Sequence, residues 1–341
     1  MESREIVRKA IEFDNPPRLP FFIGGMWHEH FKRKNIAIPN DVLDCWEMDR
    51  NKSGWFFDNP VVDDWGCGWG KTALDNIGQV VHHPLTDWKS FDSFTPPSPR
   101  DEFYFERIEQ HLKNAGDKYV VLTNHFNLIE RFEMLRGFSN ALLDFYTEPE
   151  KTNRLLDMIL EFKLGIIEEV AKRFGDRVHG IFMTDDWGTQ ESTYISPELF
   201  REYFYDRYKI LTDAMHSHNY HFILHSCGKI NKFVPIFAEL GVDMMNMGQP
   251  QCYGIEELGK IARGKIAFLA TCDIQTTLPK GDPELVRKEA LELVKNWSTP
   301  QGGLVVFNYG DPEAIGSTNE IAEVMFSAFY ELNSYWQNHK K

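Results

Sequence analysis

His225 and Cys227 stand two residues apart in the stretch YHFILHSCGKIN, which runs from Tyr220 to Asn231. If the apolar residues before them form a strand, its period of two puts both side chains on one face. Imidazole nitrogen and thiolate sulfur both suit zinc, and a catalytic zinc takes three protein ligands and keeps one position open. Gly228 then lets the backbone turn sharply. Cys272, at the end of the apolar run KIAFLAT, is the expected third ligand, with Cys252, Asp185 and Asp311 as fallbacks. The same residues also fit a free buried cysteine beside a packed histidine. His221 shares the face but lies four residues earlier, roughly 13 Å along a strand, and reads as a hydrogen-bonded core histidine.

Other residues with chemical potential follow apolar runs in the same way. Asp185 and Asp186 are adjacent carboxylates able to hold a substrate hydroxyl or act as acid and base. On a strand they face opposite ways, so one is expected in the site, and Asp185 is preferred. His125 is a further catalytic candidate. Trp27, His28, Glu29, Asp273, Gln275 and Asn308 are candidate substrate contacts, with Asp273 and Gln275 orienting the site by hydrogen bonds. Trp27, Trp46, Trp65, Trp69 and Phe126 are expected to line an aromatic pocket.

The elements that must position these residues alternate along the chain. Strand-like runs cover Lys118–His125, Val178–Asp185, Tyr220–Ser226, Val242–Met247, Lys265–Thr271 and Gly303–Tyr309, and an earlier one covers Arg18–Gly25. They are almost continuously apolar, as parallel strands buried on both faces are. Between them lie amphipathic helices with clear starts and stops: Ser196 and Pro197 open one, and Gly175 closes another. The expected fold is an α/β (β/α)8 TIM-type barrel, distorted, forming one domain over 1–341. Residues 26–100, rich in Trp, His, Gly and acids, are expected to be an N-terminal elaboration with short hairpins over the barrel mouth, and 101–341 the main barrel repeat. The polar residues following the strands then share one face, where barrels carry their chemistry.

Composition excludes other classes. The 341 residues carry a formal net charge of −14, and the one basic cluster, Lys32 to Lys34, is too short to track a phosphate backbone. No nucleic acid and no membrane partner is expected, and the charged start of the chain has no apolar signal region. Five scattered cysteines are not a disulfide framework and fit a reducing, cytoplasmic setting. No Gly-x-Gly-x-x-Gly follows a strand, so the usual dinucleotide turn is missing.

At DDWGTQ, HSCGKI and ATCDIQTTLPKGDPELV the sequence resembles the uroporphyrinogen decarboxylase superfamily, most closely its corrinoid-dependent methyltransferase branch. The resemblance implies a distorted (β/α)8 barrel and makes a homodimer a reasonable assembly. In that branch a His-x-Cys-Gly motif supplies two zinc ligands, which maps onto His225 and Cys227. The branch's cysteine after the last barrel strand has no counterpart in VVFNYGDPEAIGSTNE. The function implied is a zinc-dependent methyltransferase that moves a methyl group from a small methylated donor to a corrinoid (cobalamin) carrier protein. An aryl methyl ether is the preferred donor, making the reaction an O-demethylation. Decarboxylation of uroporphyrinogen is the alternative, but IGGMWHEHF follows RLPFF where that activity needs an arginine-rich signature. A non-catalytic barrel binding a small ligand is the third reading.

Overall fold

A computed structural model describes residues 1–54, 61–70 and 78–338, apart from the side chains of residues 25, 26 and 337. Residues 55–60 and 71–77, part of the elaboration expected over 26–100, lie outside the described residues. The strands, in chain order, are β1 (Phe21–Phe22), β2 (Val42–Cys45), β3 (Val61–Val62), β4 (Gly68–Gly70), β5 (Gln79–His82), β6 (Tyr119–Thr123), β7 (Gly180–Thr184), β8 (His221–His225), β9 (Met244–Met247), β10 (Ala267–Ala270) and β11 (Leu304–Phe307).

Eight of them form one parallel sheet in the order β1, β11, β10, β9, β8, β7, β6, β2. Its two edges meet at Asp41, whose amide donates to the Phe21 carbonyl (2.8 Å) while its carboxylate accepts from the Phe21 amide (2.9 Å). Arg18 clamps the same carboxylate through two bonds of 2.7 and 2.6 Å. The sheet is therefore a nearly closed (β/α)8 barrel, as the alternating pattern implies. The seven expected strands are present. β2 is the eighth and was not expected: it has four residues, and its two central ones, Leu43 and Asp44, are only half-buried. It falls inside 26–100, so that stretch contributes a barrel strand.

Strand parity sorts the core into two layers. Phe22, Val42, Tyr119, Val121, Phe182, Ile223, Met244, Ala267, Leu269, Val305 and Phe307 pack together inside the barrel. The helix Ser3–Ile11 closes the bottom of that cluster with Val7, Ala10 and Ile11. The alternate residues, such as Leu122, Ile181, Met183, Leu224 and Ala270, pack outward with the surrounding helices. Each strand's inward parity decides which residues at its C-terminal end face the mouth.

A second, antiparallel sheet of β3, β4 and β5 lies beside the helix Leu128–Arg136. The DDWGCGWG stretch builds it around one buried carboxylate. Asp63 accepts from the amides of Trp65 (3.1 Å) and Cys67 (2.8 Å), from the Trp69 indole (3.2 Å) and from the Arg131 guanidinium (2.7 Å). No helix among the described residues is long and apolar enough to cross a membrane.

Candidate metal centre

β8 carries Ile223 inward, so His225 and then Cys227 point into the mouth. On β7 the inward residue is Phe182, which gives the same direction to Thr184 and Asp186. His225, Cys227 and Asp186 thus converge: an imidazole nitrogen, the thiol sulfur and a carboxylate oxygen all lie within 4.8 Å of one another. His225 Nε2 is 3.3 Å from Cys227 Sγ and 3.6 Å from Asp186 Oδ1. Among the described residues no other group of three such side chains approaches this closely.

The loops that carry the three residues are locked to each other. The Cys227 amide donates to Asp186 Oδ1 over 2.6 Å, and the Lys229 amide to the Thr189 carbonyl over 2.7 Å. Gly228 has φ of +81°, and a Cβ there would lie 2.1 Å from the Gly188 carbonyl oxygen, so only glycine fits. The imidazole is fixed from behind: His225 Nδ1 is 2.7 Å from Asn246 Oδ1.

The neighbourhood is acidic. Glu130 and Glu133 project from the helix Leu128–Arg136 into the same region, and Glu130 accepts from the Thr184 hydroxyl. Burial, together with the charges of Asp185 and Asp186, pushes both carboxyls well above the usual range. Burial, with Asp186 and Glu130 adding to it, likewise holds the Cys227 thiol well above its ordinary value.

A row of rings leads to this point. Trp46, beyond β2, lies 4.7 Å from His125; His125 lies 5.8 Å from Phe182; and Phe182 stacks on His225 at 6.4 Å. These come from four neighbouring strands, and Trp46 is 44% exposed at the rim. Asp44 braces the row by accepting from the Trp46 indole and from the Thr123 hydroxyl (2.7 Å). Burial raises its carboxyl to about 6.

The model for the family described as uroporphyrinogen decarboxylase (URO-D) matches residues 64–331. The chain belongs to the uroporphyrinogen decarboxylase family. The chain is similar to a methylated-thiol–coenzyme M methyltransferase from Methanosarcina mazei, 25% identical over 179 residues. That match covers 52% of this chain and 46% of the relative, so the chain spans about half the length of the curated relative it matches. A solved methyltransferase from Methanosarcina mazei shares the fold, with a TM-score of 0.70 and 13% identity over 97% of this chain and 99% of that one.

Several residues expected at this family member's site are placed elsewhere. Asp185 has outward parity with Ile181 and Met183, and is fully buried. It accepts from the amides of Leu128 (3.2 Å) and Glu130 (2.9 Å) and from the Tyr208 hydroxyl (2.5 Å), capping a helix instead of facing the mouth. Burial lifts its carboxyl to about 7. Cys272 also points outward, its thiol 3.6 Å from the Val286 carbonyl, and it is Asp186 that lies beside His225 and Cys227. Cys252 is 3.5 Å from the Gln190 carbonyl, and the exposed Asp311 caps a turn at Glu313.

Asp273 is buried and ties its own loop through the amides of Gln275, Thr276 and Gln251, while the Gln275 side chain is exposed. Asn308 is buried beyond β11. Trp27 packs against Phe31 and Phe326 in the core, Glu29 is exposed, and His28 is half-buried. Of the five expected pocket aromatics, Trp69 is buried as well, Trp65 and Phe126 are buried but line a small cavity beside His125, and Trp46 stands exposed at the mouth. His125 is at the mouth, held by Asp49 at 2.7 Å. Glu130, Glu133 and Asp44 were not singled out from sequence, and Asn246 stood there only as one of the polar residues following a strand, with no role of its own. Strand parity could have found Asn246 and Asp44; the two glutamates belong to a helix whose neighbours only the fold shows.

Proposed function

We propose that His225, Cys227 and Asp186 hold a zinc ion, and that the protein moves a methyl group from a small methylated donor to a corrinoid carrier protein. The convergence of three donor atoms within 4.8 Å at the barrel mouth carries this reading. The donor set suits the ion: one nitrogen, one sulfur and one oxygen ligand leave a tetrahedral position open. A thiolate and a carboxylate also balance a divalent charge. Zinc bound there supplies a Lewis acid for the heteroatom that carries the methyl group.

The chain's own residues do the rest. Asn246 keeps the His225 ring in place, and the Cys227 amide keeps the Asp186 carboxylate turned toward it. The rings of Trp46, His125 and Phe182 offer a wall against which a flat donor can lie with its substituent directed at His225. That favours an aryl methyl ether, hence O-demethylation; the methylated thiol in the relative's name is the competing donor. The exposed rim, with Trp46 and Tyr309, is where a carrier must approach.

Uroporphyrinogen decarboxylation has less support. A polyanionic substrate needs free cations, yet Arg18, Arg50, Arg131 and Arg136 each pair with a carboxylate of the chain. The test uses free cobalamin reduced to the cob(I) state, with 2-methoxyphenol or dimethyl sulfide as donor. Methylation of cobalt that stops on chelation and in Cys227→Ser is the expected result. Chelator-resistant release of carbon dioxide from uroporphyrinogen, without cobalt methylation, would overturn it.

A further inference from the structure

Asn246 sits on β9 at the inward parity of Met244, level with His225 on the neighbouring strand, and is 4% exposed. Its amide is oriented without ambiguity. Nδ2 donates to the Leu269 carbonyl on β10 over 3.1 Å, so Oδ1 is the atom that meets His225 Nδ1 at 2.7 Å. An amide oxygen only accepts, so Nδ1 must carry the proton. The Nε2 lone pair is then left facing Cys227 Sγ and Asp186 Oδ1. Three adjacent strands thereby determine one tautomer.

We propose that Asn246 is a positioning residue that locks His225 as the Nδ1–H tautomer and presents Nε2 to the open mouth as a ready ligand. The inference rests on the reading of this cluster as a zinc centre and adds a residue to it. Buried hydrogen-bond partners of this kind orient ligating histidines and raise their affinity for metal. The choice of an amide has a reason here. An aspartate would add a negative charge where Asp186, Glu130 and Glu133 already crowd one another, whereas asparagine accepts the same bond without charge. Asparagine also keeps the second bond to Leu269, which an ionised carboxylate cannot donate.

The test compares wild type with Asn246→Leu, which removes the acceptor at similar size, and Asn246→Asp, which retains an acceptor. In metal-free protein with 15N-labelled histidine, the His225 signals are assigned by their loss in His225→Gln. The tautomer is then read from the one-bond and two-bond couplings at a single neutral pH. Wild type and Asn246→Asp are expected to show the proton on Nδ1, and Asn246→Leu to shift it toward Nε2. Zinc affinity, measured against a competing chelator, should fall about 10- to 100-fold in Asn246→Leu and stay within about tenfold of wild type in Asn246→Asp. An unchanged tautomer in folded Asn246→Leu would overturn the proposal, as would unchanged zinc affinity. If wild type takes up no zinc but the tautomer still switches, the zinc reading fails and the positioning of His225 stands. Should Asn246→Leu not fold, an Nε2–H wild type would overturn the proposal by itself, and Nδ1–H in wild type and Asn246→Asp would support it.

Discussion

The Cys227 amide donates to Oδ1 of Asp186 over 2.6 Å, tying the residue two beyond β8 to the residue two beyond β7. That bond brings a carboxylate to a His-x-Cys pair which by itself has only two donors. It also separates the two neighbouring acids: Asp186 belongs to the mouth and Asp185 to the helix behind it.

Asp186→Asn retains an oxygen for the Cys227 amide but removes the charge and most of the donor strength. Zinc affinity is expected to fall at least about 100-fold, while the unfolding midpoint in urea changes little. Competition with a chromophoric chelator measures the first and a denaturant titration the second. Retained affinity in this variant would remove Asp186 from the centre.

Cys272→Ala should leave zinc content unchanged, because its thiol points at the Val286 carbonyl and not at the mouth. Loss of zinc from a folded Cys272→Ala protein would restore the ligand set expected from sequence.

Trp46→Ala removes the exposed end of the ring wall. With 2-methoxyphenol as donor, KM should rise roughly tenfold, the value of about 1.4 kcal/mol of ring contact, with kcat nearly preserved. An equal fall in kcat, with KM unchanged, would place Trp46 in the chemical step instead.

Asp63→Ala removes the carboxylate that pairs with the buried Arg131 guanidinium. Breaking one side of a buried ion pair costs about 3–5 kcal/mol, so the urea midpoint should drop sharply. A shift under about 1 kcal/mol would show that the carboxylate is dispensable to the small sheet.

His179 lies at the bottom of the barrel, where its Nδ1 accepts from the Val120 amide (2.9 Å) and burial lowers its pKa from 6.5 to about 4. The unfolded chain binds this proton more readily, so the contribution to stability is intact above 6.5 and is lost as pH falls toward 4. His179→Asn keeps an acceptor and does not titrate. The stability of wild type relative to this variant should decline by up to about 3 kcal/mol across that interval. A flat difference would mean the histidine is not held neutral.

Barrel architecture was legible because buried parallel strands are apolar end to end, and seven of them could be read directly. β2 escaped because two residues of Val42–Cys45 are half-exposed and one is an aspartate. At the site, the spacing of His225 and Cys227 carried the parity argument, and the structure puts both side chains on the same inward face. The same argument applied to Ile181 and Met183 would have chosen Asp186 over Asp185, and applied to Phe268 and Ala270 would have turned Cys272 away. What no local pattern could show is the meeting of Glu130 and Glu133 with that pair, since these come from a helix that only the fold brings beside it. Tryptophans misled for a related reason: a ring able to line a pocket is equally able to fill a core, and Trp27 and Trp69 do the latter.

The most direct measurement is the zinc content of tag-free protein by elemental mass spectrometry after reconstitution, with Cys227→Ser and Asp186→Asn alongside. About one zinc per chain in wild type, lost in both variants, is the predicted result for a three-ligand site with one open position. A folded wild type that retains no zinc, or variants that retain it fully, would contradict the account.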